Sequence, residues 1–199
     1  MKKIMFNNRY GLTQAVLEGR KTQTRRIAYI GSLPRLDFGI CVKPKNFGRA
    51  TFSYGGVNIS HSRYCIGEEV AVAQAYSEFV SEAGFNEAEI NKLRISKGWT
   101  NKMFVKADLM PHRIRITDIR AERLQDISEE DCLAEGIVDF ESRINKAHFY
   151  SITDESATYG TAKKPYSLLI DKIAGKGTWK RNPYVFVYEF ELINHPLWD

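Results

Sequence analysis

The sequence predicts an α+β fold of several strands with short helices between them, and three segments carry that prediction. Residues 112–120 alternate apolar and polar side chains with period two, the pattern of a strand buried on one face. Residues 184–192 form a β-branched and aromatic run, which is typical of a buried strand. Residues 128–136 begin at a serine N-cap, continue with three acids and end at a glycine, which predicts one short helix. Because no internal repeat occurs, we expect an α+β or small-barrel architecture.

Two further helices are predicted from composition and spacing. Apolar residues recur at helical spacing just before Gly19, which predicts a short amphipathic helix over residues 10–18. Pro165 is placed to open a second helix, whose apolar residues continue to Gly175. Residues 79–94 have a helical composition but no other helix signal.

The remaining segments predict strands and loops. Short apolar runs at residues 68–75 and 103–107 are typical of strands. Residues 28–64 are rich in glycine, proline, serine and lysine, so we expect loops and short strands there rather than a long helix. Residues 138–164 are polar and irregular, which indicates an insertion or a mobile loop.

Length and composition favour one globular domain. The chain has 199 residues, and a single hydrophobic core can organise up to ~250 residues. Hydrophobic residues make up 43% and charged residues 27% of the sequence, values close to globular averages. This composition excludes a disordered, collagenous or coiled-coil chain.

The charge balance favours an anionic partner without deciding the question. The 29 Lys and Arg residues outnumber the 24 Asp and Glu residues, so the net charge is +5 and the isoelectric point is about 9.0. A mild basic excess of this kind raises the expectation of RNA or nucleotide binding. The sequence contains no motif specific for DNA.

The cysteine and histidine spacings argue against disulfide bonds and a metal site, and the hydrophobic pattern argues against a membrane-spanning segment. The three cysteines contain no C-x-x-C pair and the four histidines lack ligand spacing, so we expect no disulfide framework, no metal and no cofactor. The N-terminus lacks the ~7-residue apolar core of a signal peptide, and no run reaches the ~18 apolar residues of a membrane-spanning helix. The expected protein is cytoplasmic and has no membrane partner.

The most unusual segment is residues 19–26, which place four cationic and two hydroxyl side chains on a predicted turn just past a helix. Like charges this close repel one another unless an anion or a carboxylate compensates them. The segment is therefore expected to face a phosphate, a substrate or an internal acid. A solvated basic surface is the alternative interpretation.

Lys21 and Thr24 are candidates for nucleophilic chemistry within this segment. For Lys21 to act as a base near neutral pH, its pKa must fall by ~3 units from the reference value of ~10.4. The neighbouring Arg20, Arg25 and Arg26 lower the pKa of a lysine, as does burial. The hydroxyl of Thr24 can then be activated for attack on a carbonyl group.

Three blocks of the sequence carry a resemblance to a known family. Gly19-x-Lys21-x-x-Thr24-x-Arg26 resembles the G-x-K-x-x-[ET]-x-R signature of the ASCH family, which belongs to a PUA-like β-barrel superfamily. Residues 115–137 and 179–190 are similar to the strand, short helix and closing strand of bacterial and phage ASCH proteins. The resemblance implies a single PUA-like (ASCH) domain over residues 1–199, with a small β-barrel, short flanking helices and insertions near residues 28–64 and 138–164.

The resemblance also implies a function. One branch of small bacterial members removes the acetyl group from N4-acetylcytidine with a lysine, a threonine and a glutamate, which Lys21, Thr24 and Glu135 match. Thr24 is then the nucleophile, Lys21 the general base and later acid, and Glu135 the group that orients or charge-balances the lysine. The implied activity is an amidohydrolase acting on an acylated pyrimidine nucleoside or a related small amide. The alternatives are a non-catalytic RNA-binding module and a phage-derived accessory protein.

An electrostatic condition accompanies this assignment. If Glu135 pairs tightly with Lys21, the ammonium form is stabilised and the base is lost. We therefore expect Glu135 to accept a hydrogen bond from the substrate or to share its charge with Arg26.

Four further residues, Arg20, Arg25, Arg26 and Gln74, are predicted to contact the substrate or RNA. Arg26 either anchors a phosphate or closes an internal ion pair. Gln74 stands where the matching block of the family has an acid, so the contacts of the pocket are expected to differ from those of the family.

Overall fold

The computed structural model describes residues 1–28, 40–42, 48–54, 57–81, 84–142, 146–153 and 157–194. The strands in chain order are β1 (Lys2–Ile4), β2 (Gln23–Ile27), β3 (Ile40–Val42), β4 (Arg49–Tyr54), β5 (Val57–Cys65), β6 (Glu69–Val72), β7 (His112–Arg123), β8 (Val138–Glu141), β9 (His148–Ser151) and β10 (Tyr184–Asn194). The helices are α1 (Leu12–Leu17), α2 (Glu87–Arg94), α3 (Glu129–Ala134), α4 (Lys163–Ala174) and α5 (Thr178–Arg181). The predicted α+β class is confirmed.

A five-stranded sheet in the order β1-β6-β7-β10-β2 organises the molecule. The parallel pair is β1 with β6, and the other neighbours are antiparallel. Ile114, Ile116 and Ile119 on β7 are fully buried, so the alternation of the sequence does mark the inward face of this strand. Within the described residues the sheet is open, because β1 and β2 at its two edges do not pair with each other.

Two smaller sheets fill the segments expected to be insertions. Residues 28–64 contain the antiparallel sheet β3-β4-β5, in agreement with the prediction of short strands. Residues 138–164 contain the β8-β9 hairpin and the first residues of α4. The prediction of an irregular loop was therefore wrong for part of this segment. Its polar residues show no strand pattern, but hydrogen bonds between β8 and β9 form a regular hairpin.

The strand predicted over residues 103–107 is also wrong. Two 3-10 turns, Lys102–Phe104 and Ala107–Leu109, stand in its place. Side chains take the backbone groups that a strand would use: the N–H of Met103 donates to Asn101 Oδ1 at 2.9 Å. The N–H of Lys106 donates to the hydroxyl of Tyr76 at 2.8 Å.

The predicted helices form close to their expected limits. The hydroxyl of Ser128 caps α3 by accepting from the N–H of Asp131 at 3.0 Å, and three acids occupy the first turn. Helix α4 begins two residues before Pro165, which a first turn tolerates because its missing N–H would lack an intrahelical partner. No helix in the described ranges is long and apolar enough to cross a membrane.

The main core lies between the five-stranded sheet and helices α1, α3 and α4. Its fully buried members include Val16 of α1, Cys132 of α3 and Val187 of β10. A second cluster forms around Tyr76 and Met110, where the segment after β6 folds back before β7 begins. The candidate site lies beside the main core.

Candidate active site

Half of the basic segment is a strand rather than a turn. Residues 23–27 form β2 at the edge of the sheet, where Thr24 pairs with Tyr188 of β10. The residue before β2, Thr22, is held on both sides: its N–H donates to Ala134 O and its carbonyl accepts from Phe190 N, each at 2.9 Å. The sequence prediction missed β2 because the cationic residues carry no strand pattern, and the pairing comes from β10.

Lys21, Thr24 and Glu135 line one cavity of about 610 Å³. All three are buried, with 2%, 5% and 5% of their surface exposed, respectively. The volume lies within the ~300–1,000 Å³ typical of small-molecule sites. Residues 114 positions apart in the sequence therefore converge on one recess.

A buried ion pair joins Lys21 to the end of α3. Lys21 Nζ donates to Glu135 Oε2 at 2.5 Å and to the carbonyl oxygen of Glu135 at 2.7 Å. Gly136 allows this close approach: its φ is +100°, and a Cβ added there would lie 3.3 Å from Leu12 Cδ2. The sequence therefore positions Glu135 by ending α3 at a glycine.

Arg25 connects the same carboxylate to two others. Its guanidinium lies 3.2 Å from Glu135 Oε1, 2.6 Å from Asp131 Oδ2 and 2.8 Å from Glu122 Oε1. Glu135 thus shares its charge between Lys21 and Arg25. Two expectations about Glu135 were therefore wrong. Glu135 pairs closely with Lys21, and the arginine that shares its charge is Arg25 rather than Arg26, because Arg25 is buried on β2 whereas Arg26 is exposed.

Burial and charge act in opposite directions on Lys21. Burial lowers the pKa of Lys21, Glu135 raises it, and the positive charges of Arg26 and Arg25 lower it further. The net direction is downward, as a general base requires. The pKa of Arg25 lies above its ordinary value because the carboxylates of Glu135 and Glu122 outweigh the cost of burial, so Arg25 remains a fixed cation.

Of the four predicted substrate or RNA contacts, the structure brings Arg25 and Arg26 to the cavity. Arg26 is exposed, and its guanidinium donates to the carbonyl oxygen of Met5 at 2.7 Å. Arg20 is not among the lining residues and pairs with Glu18 at 2.8 Å. Gln74 is buried away from the cavity, where its Oε1 lies 2.9 Å from Nδ1 of His112.

The α4 wall, formed by Tyr166, Leu169, Ile170 and Ile173, is the part of the site that the sequence prediction missed. The sequence predicted a helix there but gave no sign of what it covers. The exposed side chains of Met5 and Ile27 also line the cavity. The recess therefore combines polar lining residues, such as Lys21, Thr24 and Glu135, with apolar ones from α4.

The described residues contain no group of three or more His, Cys, Asp or Glu side chains arranged to hold a metal ion. Comparison of the chain with protein-family models, curated proteins and solved structures finds no match.

Proposed function

We propose that the protein is an amidohydrolase of the ASCH type that acts on an acylated pyrimidine nucleoside, such as N4-acetylcytidine, or on a related small amide. The observation that carries the proposal is the convergence of Lys21, Thr24 and Glu135 on one cavity, with Lys21 and Glu135 in direct contact. The motifs suggest the reaction, and the cavity supports it by providing a nucleophile, a base and room for a nucleoside.

The reaction proceeds through an ester of Thr24. Neutral Lys21 takes the proton of Thr24 Oγ1 as that oxygen attacks the carbonyl carbon of the amide. The C–N bond then breaks, and the Lys21 ammonium gives its proton to the leaving nitrogen. Water hydrolyses the ester with Lys21 again as base, which releases a carboxylate and restores the threonine.

The hydrogen bonds of Lys21 are compatible with a neutral amine. A neutral lysine has two N–H donors and one lone pair, and Glu135 provides two acceptors, Oε2 and the backbone oxygen. Both donors are then used, and the lone pair remains able to accept a proton. Arg25 binds the other oxygen of the Glu135 carboxylate. The negative charge of Glu135, which favours the ammonium form of Lys21, is therefore shared between Lys21 and Arg25.

The RNA-binding alternative receives less support from the same contacts. Arg25 is buried among three carboxylates, and Arg20 pairs with Glu18, so neither presents an unpaired cation to a phosphate backbone. Arg26 is the predicted cation that is exposed at the cavity. A single exposed cation is better suited to binding a small ligand than to binding the phosphate backbone of an RNA strand, which needs a positively charged groove.

The test is release of acetate and cytidine from N4-acetylcytidine by the purified protein. Thr24→Val and Lys21→Met are expected to lower kcat/KM by at least ~100-fold, since each removes a group that acts in the chemical step. Thr22→Val is the matched control, because Thr22 lies on the same segment with an exposed side chain and should retain activity. A folded wild-type protein that releases no acetate refutes the substrate, and an active Thr24→Val variant refutes the nucleophile.

A further inference from the structure

Tyr166 differs from the other buried tyrosines of the described chain. The hydroxyl of Tyr64 donates to Lys3 O at 3.2 Å, and those of Tyr76 and Tyr188 each accept from a backbone N–H at 2.8 Å. The hydroxyl of Tyr166 is buried and has no hydrogen-bond partner among the described residues. A buried polar group without a partner costs about 1–3 kcal/mol, so its retention calls for a physical reason.

The location of Tyr166 suggests that reason. Its side chain belongs to α4 and lines the same cavity as Lys21 and Thr24, and its ring packs edge-on against Trp179 at 6.1 Å. This packing holds the ring in one orientation. A substrate acceptor that enters the cavity would supply the missing partner.

The surroundings of Tyr166 keep its hydroxyl a donor. Burial, with the negative charge of Glu135 acting in the same direction, holds the pKa of Tyr166 well above its ordinary value, although Arg25 opposes this. The phenol therefore keeps its proton at neutral pH. Two other donors that line the cavity, Lys21 and Arg25, are already bonded to carboxylates.

We propose that Tyr166 donates a hydrogen bond to the carbonyl oxygen of the amide substrate, an assignment that rests on the proposed amidohydrolase function. When Thr24 attacks, the π electrons of the C=O bond move onto this oxygen, and the phenol stabilises the negative charge. The C=O bond re-forms as the C–N bond breaks, and Tyr166 ends the step still protonated. Tyr166 is thus a catalytic residue that none of the sequence motifs contains.

Steady-state kinetics of Tyr166→Phe with N4-acetylcytidine test the assignment. We expect kcat to fall by about 100-fold, the loss typical of one oxyanion donor, while KM rises by no more than about fivefold. The melting temperature should stay equal or rise, because the change removes an unpartnered buried hydroxyl. Tyr76→Phe is the matched control: its hydroxyl is bonded outside the cavity, so it should lower the melting temperature and leave kcat unchanged.

Two results overturn the assignment: a kcat of Tyr166→Phe within about threefold of wild type, or a clear fall in its melting temperature, which would reveal a structural partner. Binding separates this failure from failure of the proposed function. In a Thr24→Val background, calorimetric titration with N4-acetylcytidine should give about fivefold weaker binding after Tyr166→Phe, the effect of one neutral hydrogen bond. If the wild-type protein binds N4-acetylcytidine but does not hydrolyse it, the proposed function alone is refuted. If Thr24→Val binds it equally well with and without Tyr166→Phe, the role of Tyr166 is refuted. If the protein does not bind N4-acetylcytidine at all, both proposals are refuted.

Discussion

Replacing Lys21 by methionine should change how the stability of the protein depends on pH. Burial lowers the pKa of Lys21 in the folded state, whereas the unfolded chain has the ordinary value of ~10.4. Between these two pKa values the unfolded state binds one more proton than the folded state. The free energy of unfolding of the wild type therefore rises with pH in this window, by up to ~1.4 kcal/mol per pH unit for one proton.

Methionine has a similar length and no proton to exchange, so Lys21→Met should lack this contribution. The measurement is urea unfolding of both proteins at several pH values from about 7 to about 11.5, read as the free energy of unfolding of the wild type minus that of the variant. Relative to the variant, the wild type should gain stability as pH approaches ~10.4 from below and should level off above it.

A matched variant isolates the effect of burial. Lys176 is exposed and its side chain makes no ion pair in the described residues, so Lys176→Met should follow the wild-type curve. If the stability of the wild type relative to Lys21→Met stays constant over the whole range, or falls as pH rises, the conclusion that burial outweighs the attraction of Glu135 is refuted.

Four more outcomes are expected. Glu135→Gln removes the group that raises the pKa of Lys21, so the acid limb of kcat/KM should move down by about 1–3 pH units; an unmoved limb contradicts this. Arg25→Met removes the cation that three carboxylates share, so the free energy of unfolding measured with urea should fall by about 3–5 kcal/mol. A fall below about 1 kcal/mol would show that the carboxylates do not depend on Arg25. Ser128→Ala should cost about 1 kcal/mol by the same measurement, since it removes the cap of α3, while Ser128→Thr should retain most of the stability. Burial raises the pKa of Cys132 to about 12, so iodoacetamide at pH 8 should leave Cys132 unmodified in the folded protein and label it in urea.

The elements that the sequence predicted best are those whose patterns are local. The alternation of residues 112–120 marks a strand that is buried on one face, and the serine, acids and glycine of residues 128–136 define α3 within its own span. Strand β2 was missed because it is ordered by pairing with β10, which is distant in the chain. The β8-β9 hairpin was missed because its polar residues show no pattern that indicates strand pairing. Residues 103–107 were mistaken for a strand because Asn101 and the hydroxyl of Tyr76 take backbone groups, which no apolar pattern reveals.

The site was predictable only as far as its motif residues. Lys21, Thr24 and Glu135 were named from the sequence, and the structure places them on one cavity. The partner of Glu135 was misassigned, because the choice between Arg25 and Arg26 depends on which side chain of an unpredicted strand is buried. Tyr166 was not named at all, since its significance depends on an absent hydrogen bond, a property that exists only after folding.

The wide sequence separation between Lys21 and Glu135 means that the base of the proposed reaction forms only when the chain folds. On a nascent chain, Lys21 leaves the ribosome long before the residues of α3 are synthesised, and until then it is a hydrated ammonium of ordinary basicity. Desolvation by the assembled core is what lowers its pKa. Under the proposed function, a misfolded or partly synthesised copy therefore carries the same side chains without the base that would activate Thr24 toward cellular amides.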